Sequence, residues 1–400
     1  MCESLVLNLV ADRKMVQVVV GRHLLFCSIL FFLGEISFTR KKTAFAMGMK
    51  ASVSSSSSSS SFRTRLLHEN GKSYGPFLLS GSSTIAELIG HVGYSHIVVD
   101  MEHSPTTDIP QLTSMLRAID AAASARSRRR GQPKTTTTNG GQQVQHQNRP
   151  SNFPIVRAPS NNDAATTKRI LDTLRLPSGI IFPMIESVKQ AKYAVASTRY
   201  PPHYNSIMSR GGTTDLKEGE GQEEEVEQQQ QQQQKGIRGC AHPFVRASDY
   251  GYNEHYYDID SNTNLFTILQ IESVAAIELI PKIGMIDGVD CLFLGPFDIS
   301  CDMNLMGQFH EDGDVMKMIR YAEGLVRKTS QQKQHEKGVG VCLGGFQIPG
   351  RSLQEMFSNK VGYQFISGAI DLGLMKSAAE ADFTNGISAM NNSNNNIDDR

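Results

Sequence analysis

Residues 265–298 read LFTILQIESVAAIELIPKIGMIDGVDCLFLGPFD. An apolar run of strand length, 265–272, opens the stretch, apolar residues at helical spacing follow over 274–283, and a second apolar run, 290–294, closes it. Continuous apolar strands on either side of a helix imply strands covered on both faces, as in parallel β–α–β units. The alternation continues in both directions. Further strand candidates lie at 77–80, 97–101, 153–157, 179–185, 338–343 and 364–367. Helix candidates lie at 84–91, 108–123, 163–174, 188–198, 315–329 and 352–357, with a last helix after Leu372. Eight strands alternating with helices predict an α/β fold of the (β/α)8 TIM-barrel kind. An open doubly wound sheet is the structural alternative. The GxGxxG turn that favours a dinucleotide fold is missing after the first strand.

The 400-residue chain has room for such a barrel and more, since a barrel takes about 250 residues. Lys+Arg and Asp+Glu both number 40, so no basic excess points to nucleic acid. The apolar fraction, 39%, is low because polar low-complexity segments dilute it. The segment 124–150 carries RSRRR, TTTT and a Gln-rich end, and 203–235 carries an acidic run and consecutive glutamines. Neither buries enough apolar surface to offset the entropy of ordering, so both are expected to be disordered insertions in one domain spanning 62–383. The tail 384–400 is expected to be disordered as well. Cys2, Cys27, Cys240, Cys291, Cys301 and Cys342 form no CxxC pair and read as reduced core thiols rather than a disulfide framework or zinc site.

Residues 1–61 read as a presequence. The run LLFCSILFFLG at 24–34 follows Arg13, Lys14 and Arg22, and is too short for a comfortable membrane span. A Ser-rich, basic, acid-free stretch comes next. Ala44-Phe45-Ala46 resembles the cleavage motif of algal plastid proteins. A bipartite presequence directing the chain to a plastid is therefore expected, with no stable span in the mature protein. If translation starts instead at Met15, Met47 or Met49, the expectation is cytoplasmic.

In a barrel, chemistry gathers at the C-terminal ends of the strands. Here those ends carry Asp100-Met101-Glu102-His103, Arg157, Gln270-Ile271-Glu272 and Gly295-Pro296-Phe297-Asp298. Strand alternation puts Gln270 and Glu272 on one face. Glu272 and Asp298, from neighbouring strands, can then share one hard divalent cation such as Mg²⁺ or Mn²⁺. Such an ion stabilises the enolate of a 2-oxo acid, and Arg157 adds a permanent charge for the same oxygen. Imidazole as a group titrates near neutral pH, so His103 is the candidate base, with Asp100 its nearest acid in sequence. Singly, Glu272 and Asp298 could be helix caps, Arg157 an ion pair and His103 a loop residue. Together at one rim they read as a site.

Several stretches in order resemble the HpcH/HpaI aldolase family of metal-dependent pyruvate aldolases: GYSHIVVDMEHSP, PIVRAPSNNDAATTKRILD, FPMIESVKQAKYAVASTRYPP, GIRGCAHPFVRASDYG, LQIES and GVDCLFLGPFDIS. The resemblance covers about residues 66–381. It implies a pyruvate-type (β/α)8 barrel, commonly a hexamer that exchanges its last helix, and a divalent cation (Mg²⁺, Mn²⁺ or Co²⁺). It implies that His103 is the base, Arg157 stabilises the transition state and Asp172 raises the basicity of the histidine. Gln270 and the backbone at Phe297 are implied substrate contacts, and Glu272 and Asp298 the metal ligands. Phe297 stands where the family has a small residue, and Ala369-Ile370-Asp371 replaces a Gly-Ser-Asp pattern. The expected activity is class II aldol cleavage of a 4-hydroxy-2-oxo acid to pyruvate and an aldehyde. The rivals are a CoA-thioester lyase of the citrate lyase β or malyl-CoA lyase type, and a non-catalytic metabolite-binding barrel.

Overall fold

A computed structural model describes residues 5–11, 14–20, 61–105, 108–130, 152–201, 236–257 and 261–395. The chain divides into two units, Met1–Ser58 and Ser59–Arg400. In the first, Leu5–Ala11 and Lys14–Val20 pair antiparallel, with Leu5 opposite Val20. The apolar run 24–34 and Ala44–Ala46 lie outside the described residues, as do Cys2 and Cys27. No helix among the described residues is long and apolar enough to cross a membrane.

The second unit is a closed barrel of eight parallel strands. A short helix, α1 (Phe62–His68), precedes β1 (Ser73–Leu78), α2 (Ser83–Val92), β2 (His96–Asp100) and α3 (Ile109–Arg130). Then come β3 (Phe153–Arg157), α4 (Ala164–Thr173), β4 (Ser178–Phe182) and α5 (Val188–Thr198). After the long connection follow β5 (Leu265–Ile271), α6 (Val274–Glu278), α7 (Ile280–Gly284), β6 (Cys291–Leu294) and α8 (Pro296–Asp302). The circuit closes with α9 (Asp314–Lys337), β7 (Cys342–Phe346), α10 (Leu353–Met356), β8 (Tyr363–Ile370) and α11 (Asp371–Asn395).

Alternation along each strand sorts two cores. On β5, Phe266 and Ile268 belong to the inner cluster, while Leu265, Leu269 and Ile271 face the helices. Val98 on β2, Ile155 on β3 and Phe293 on β6 also point inward. Two residues further on, the same inward face carries Asp100, Arg157 and Gln270 at the barrel's mouth. At the other end α1 acts as a plug that sequence periodicity did not disclose. Ser61 caps it by accepting from Thr64 N (3.1 Å), and Phe62 stacks on Phe153 at 3.7 Å. Burying one such ring stabilises by about 1.5–3 kcal/mol.

All eight expected strands are present, with shifted ends. The strand expected from 338 starts at Cys342, because Gly338 (φ 71°) is the left-handed cap of α9. The single helix expected over 274–283 is two: Pro281 has no N–H to continue the first and sits in the opening turn of the second. The insertion expected from 124 begins later. Its first residues extend α3 to Arg130, where Arg126 donates to Gly90 O (3.0 Å) and Asn152 Oδ1 (2.9 Å). The Ala- and Arg-rich composition there favours helix. Residues 131–151 and 202–235 lie outside the described residues. The tail expected to be disordered from 384 instead continues α11 to Asn395, with Phe383, Ile387 and Met390 keeping helical spacing. Cys291 and Cys342 are buried thiols as expected, whereas Cys240 and Cys301 are exposed.

Candidate active site

Strand register places the site. Asp100 and Arg157 are partners in adjacent strands, and their side chains meet inside the mouth. Arg157 Nε and Nη2 donate to Asp100 Oδ1 and Oδ2 at 2.7 and 2.6 Å. Such a fork fixes the guanidinium plane. Arg157 Nη1 lies 2.8 Å from Glu102 Oε2, and the guanidinium sits 5.0 Å above the Phe77 ring. Burial works against the Arg157 charge, but Asp100, then Glu102 and Glu272, hold its pKa above the ordinary value.

Asp100 also accepts from the backbone N–H of Glu102 (3.0 Å) and His103 (3.3 Å), bending the chain so that both side chains emerge at the rim. The expectation that Asp100 serves the His103 ring is thereby corrected: its carboxylate is occupied by Arg157 and two amides. The His103 ring is 62% exposed, and its Nε2 lies 3.7 Å from Glu102 Oε2. Asp172 is not beside His103 either. It sits in the last turn of α4, nine residues below the Asp163 cap and so about 13 Å down the helix from the mouth. There it receives Arg238 Nη2 at 2.9 Å, and Arg238 lies over Tyr200 and donates to Tyr256. The family resemblance carried that expectation, and within this chain a buried arginine from a distant loop claims the carboxylate.

On the other side of the mouth, Gln270 Nε2 donates to Glu272 Oε1 at 2.8 Å, and Met184 N donates to Glu272 Oε2 at 2.9 Å. Glu272 is 4% exposed. Burial pushes its carboxyl up to about 8; the Met184 amide opposes this, Asp298 and Glu102 add to it, and Arg157 opposes it. Asp298, in the first turn of α8, is exposed. A Cβ on Gly295 would come within 2.7 Å of Glu272 Oε1, so glycine there leaves the carboxylate its space. The Phe297 ring is 45% exposed and meets Phe309 edge-on at 5.1 Å.

Asn161 and Glu102 complete this group, and the sequence did not single either out. Buried Asn161 donates to Pro183 O (2.9 Å) and Met184 O (2.6 Å), holding Met184 at φ 51° with its N–H on Glu272. Its only mark in sequence is a loop position before the α4 cap. Among the described residues no cluster of three or more His, Cys, Asp or Glu is arranged to hold a metal. A cavity of about 610 Å³ lies at the opposite end, lined by Leu66, His68, Gln334 and Gln364 among others. Convergent charge, not volume, marks the mouth as the site.

The family model for HpcH/HpaI aldolase/citrate lyase matches residues 73–378. This chain belongs to that family. The hydroxypyruvate/pyruvate aldolase of Paraburkholderia phytofirmans is 30% identical over 306 residues, covering 76% of this chain and 90% of the relative. The 4-hydroxy-2-oxo-heptane-1,7-dioate aldolase of Klebsiella pneumoniae is 26% identical, covering 75% of this chain and 84% of the relative. A solved HpcH/HpaI family protein from Burkholderia cenocepacia superposes with a TM-score of 0.58 at 25% identity, covering 81% of this chain and 97% of its own. As an HpcH/HpaI family member this chain is a carbon–carbon lyase.

Proposed function

We propose that this lyase is a divalent-cation-dependent aldolase that splits a 4-hydroxy-2-oxo acid into pyruvate and an aldehyde. The observation that carries this reading is the buried Glu272 carboxylate in the field of Asp298, Glu102 and Arg157. The two named relatives, a hydroxypyruvate/pyruvate aldolase and a 4-hydroxy-2-oxo-heptane-1,7-dioate aldolase, support pyruvate as a product.

Glu272 and Asp298 would hold Mg²⁺, Mn²⁺ or Co²⁺, and the residues fit such an ion. Crowded acid at a buried position is relieved by a cation. Each Glu272 oxygen accepts one hydrogen bond and keeps a further lone pair. When bound, the ion supplies Lewis-acid polarisation of the 2-oxo group.

The remaining steps fall to side chains. Gln270 Oε1, buried without a hydrogen bond, is a substrate contact, as is the backbone at Phe297. His103 takes the proton of the 4-hydroxyl. That oxygen becomes the aldehyde carbonyl as the C3–C4 bond breaks, and the bonding pair passes into the enolate of pyruvate. Arg157 offers its fixed charge to the enolate oxygen. A proton delivered to C3 completes pyruvate.

A homo-oligomer, a hexamer by family resemblance, is part of the same proposal. Leu372, Met375, Phe383, Ile387 and Met390 on α11 are 41–69% exposed, and an apolar stripe of this kind favours burial against another chain. Pyruvate release from 4-hydroxy-2-oxoheptanedioate, with and without chelator, tests the activity. Release that stops with chelator and returns with Mn²⁺ is expected; an unchanged rate in chelator contradicts the cation.

A further inference from the structure

Asn161 lies between Arg157, at the end of β3, and the Asp163 cap of α4, and it is 8% exposed. Its Nδ2 donates to Pro183 O at 2.9 Å and to Met184 O at 2.6 Å, both in the loop that leaves β4. Only the amide nitrogen can donate, so two carbonyl partners fix which way the Asn161 amide faces.

Each of those carbonyls belongs to a peptide group whose N–H end also has a partner. Across the same peptide plane from Pro183 O is the Met184 N–H, which donates to Glu272 Oε2 at 2.9 Å. Across the next plane from Met184 O is the Ile185 N–H, which donates to Gln270 O at 3.2 Å. One side-chain amide thus grips the oxygen ends of two consecutive peptides, and residues at the end of β5 receive their hydrogen ends. Met184 takes φ 51° between those two peptides, a conformation that a residue with a side chain keeps only where its surroundings hold it.

We infer that Asn161 is a positioning residue for the cation, acting through the Met184 peptide on Glu272. The inference rests on the cation-dependent reading of the site. With the Met184 amide on Oε2 and Gln270 Nε2 on Oε1 at 2.8 Å, the plane of the Glu272 carboxylate is set, and each oxygen keeps a lone pair for an ion. The sheet fixes the loop on either side, since Phe182 pairs with Leu269 and the Ile185 N–H is tied to Gln270. What is left to turn is the peptide joining Pro183 to Met184. Turned over, it would set a carbonyl oxygen against a buried carboxylate, repelling it and taking away its hydrogen bond. Asn161 holds the peptide in the opposite sense.

Two measurements on the full chain test this. One is Mn²⁺ binding, read as loss of the free-ion paramagnetic resonance. The other is the backbone amide signal of Met184 in ¹⁵N-methionine-labelled protein without metal, identified by its loss in Met184→Leu. Asn161→Asp keeps the size of the side chain and turns its donor into an acceptor facing two carbonyls. It is expected to displace the Met184 amide signal and to weaken Mn²⁺ binding by about tenfold to a hundredfold, the usual scale for groups that orient a metal ligand. The added negative charge alone would tighten binding, so a loss isolates the donor. Asn161→Gln, which keeps the donor on a longer stem, should recover part of the affinity. A purely structural Asn161 would give an Asp variant with a lower melting temperature but parental Mn²⁺ affinity in the folded protein, and that result overturns the inference. So does an unmoved Met184 signal. Should Asn161→Asp fail to fold, Asn161→Ser, whose single donor serves at most one carbonyl, carries the same two readouts to the same end. If the parent binds no Mn²⁺, the cation reading fails, and the metal-free Met184 signal still decides whether Asn161 aims that amide.

Discussion

The two ends of the barrel treat charge in opposite ways. At the end closed by α1, charged groups meet partners. Arg63 Nη2 donates to Asp290 Oδ1 at 2.7 Å, and Asp290 Oδ2 accepts from Thr267 N at 3.0 Å. Lys333 donates to Ile286 O and Val289 O, and neutral His96 pairs with Ser73 Oγ at 2.7 Å. At the mouth, Asp100, Glu102 and Glu272 crowd round Arg157, and Asp298 adds its charge to Glu102 and Glu272. Polar groups matched by partners hold a fold together; acids in excess of their partners await something from outside it. The contrast predicts that mutations at the two ends separate activity from stability.

The largest separation is expected at the cation ligands. Asp298→Ala should abolish cleavage, a fall of about a thousandfold or more given the Lewis-acid contribution, and leave the melting temperature within a few degrees. Steady-state kinetics beside thermal unfolding would show it, and cleavage at more than a tenth of the parental rate would break the comparison. Arg157→Ala comes next. Losing a fixed charge at the oxyanion should lower both cleavage and pyruvate proton exchange by about 3–4 kcal/mol, some hundredfold to a thousandfold. If exchange survives intact, Arg157 does not serve the enolate.

At the closed end the signs reverse. Asp290→Asn breaks the pair with a half-exposed Arg63, so a loss of about 2 kcal/mol in unfolding free energy is expected, with kcat unchanged. Denaturant titration and kinetics on the same preparation would sharpen or undo the contrast.

The acid excess also has a pH signature. Folding raises the Glu272 carboxyl from its ordinary value to about 8, so the folded state holds this proton more tightly than the unfolded chain. Below the unfolded value near 4.5 both states are protonated and the group costs nothing. As pH rises toward 8 the unfolded state alone releases the proton, and stability falls by on the order of a few kcal/mol without a cation. Glu272→Gln should flatten that decline, and Mg²⁺ should offset it in the parent only. A parental curve that is flat from pH 5 to about 8 in chelator would contradict the assignment. The smallest effect is expected from deleting residues 203–235, whose polar composition cannot build a core. Melting temperature and kcat should both stay near parental values.

Much of the barrel was legible because buried parallel strands are continuous apolar runs and the helices between them keep their period. The mouth was legible for a related reason: Asp100, Arg157 and Gln270 stand one inward step beyond apolar inward positions. What was not legible depends on contacts between distant segments. The pairing of Asp100 with Arg157 joins residues 57 apart, and that of Asp172 with Arg238 joins residues 66 apart. No local pattern announces either. Asn161 and the amide of Met184 act through backbone direction, which side-chain chemistry in the sequence does not record. The plug helix α1 is short and buries only Phe62 and Leu66, too few positions for periodicity to register.

The central claim is that Glu272 and Asp298 hold one divalent cation at the mouth. Mn²⁺ binding by the full chain, read by electron paramagnetic resonance as the loss of free-ion signal, tests it most directly. The parent is expected to bind one ion per chain, and Glu272→Gln and Asp298→Asn, checked to be folded, are expected to bind none at the same concentration. One ion per chain in either variant, at parental affinity, would place the cation elsewhere and contradict the account.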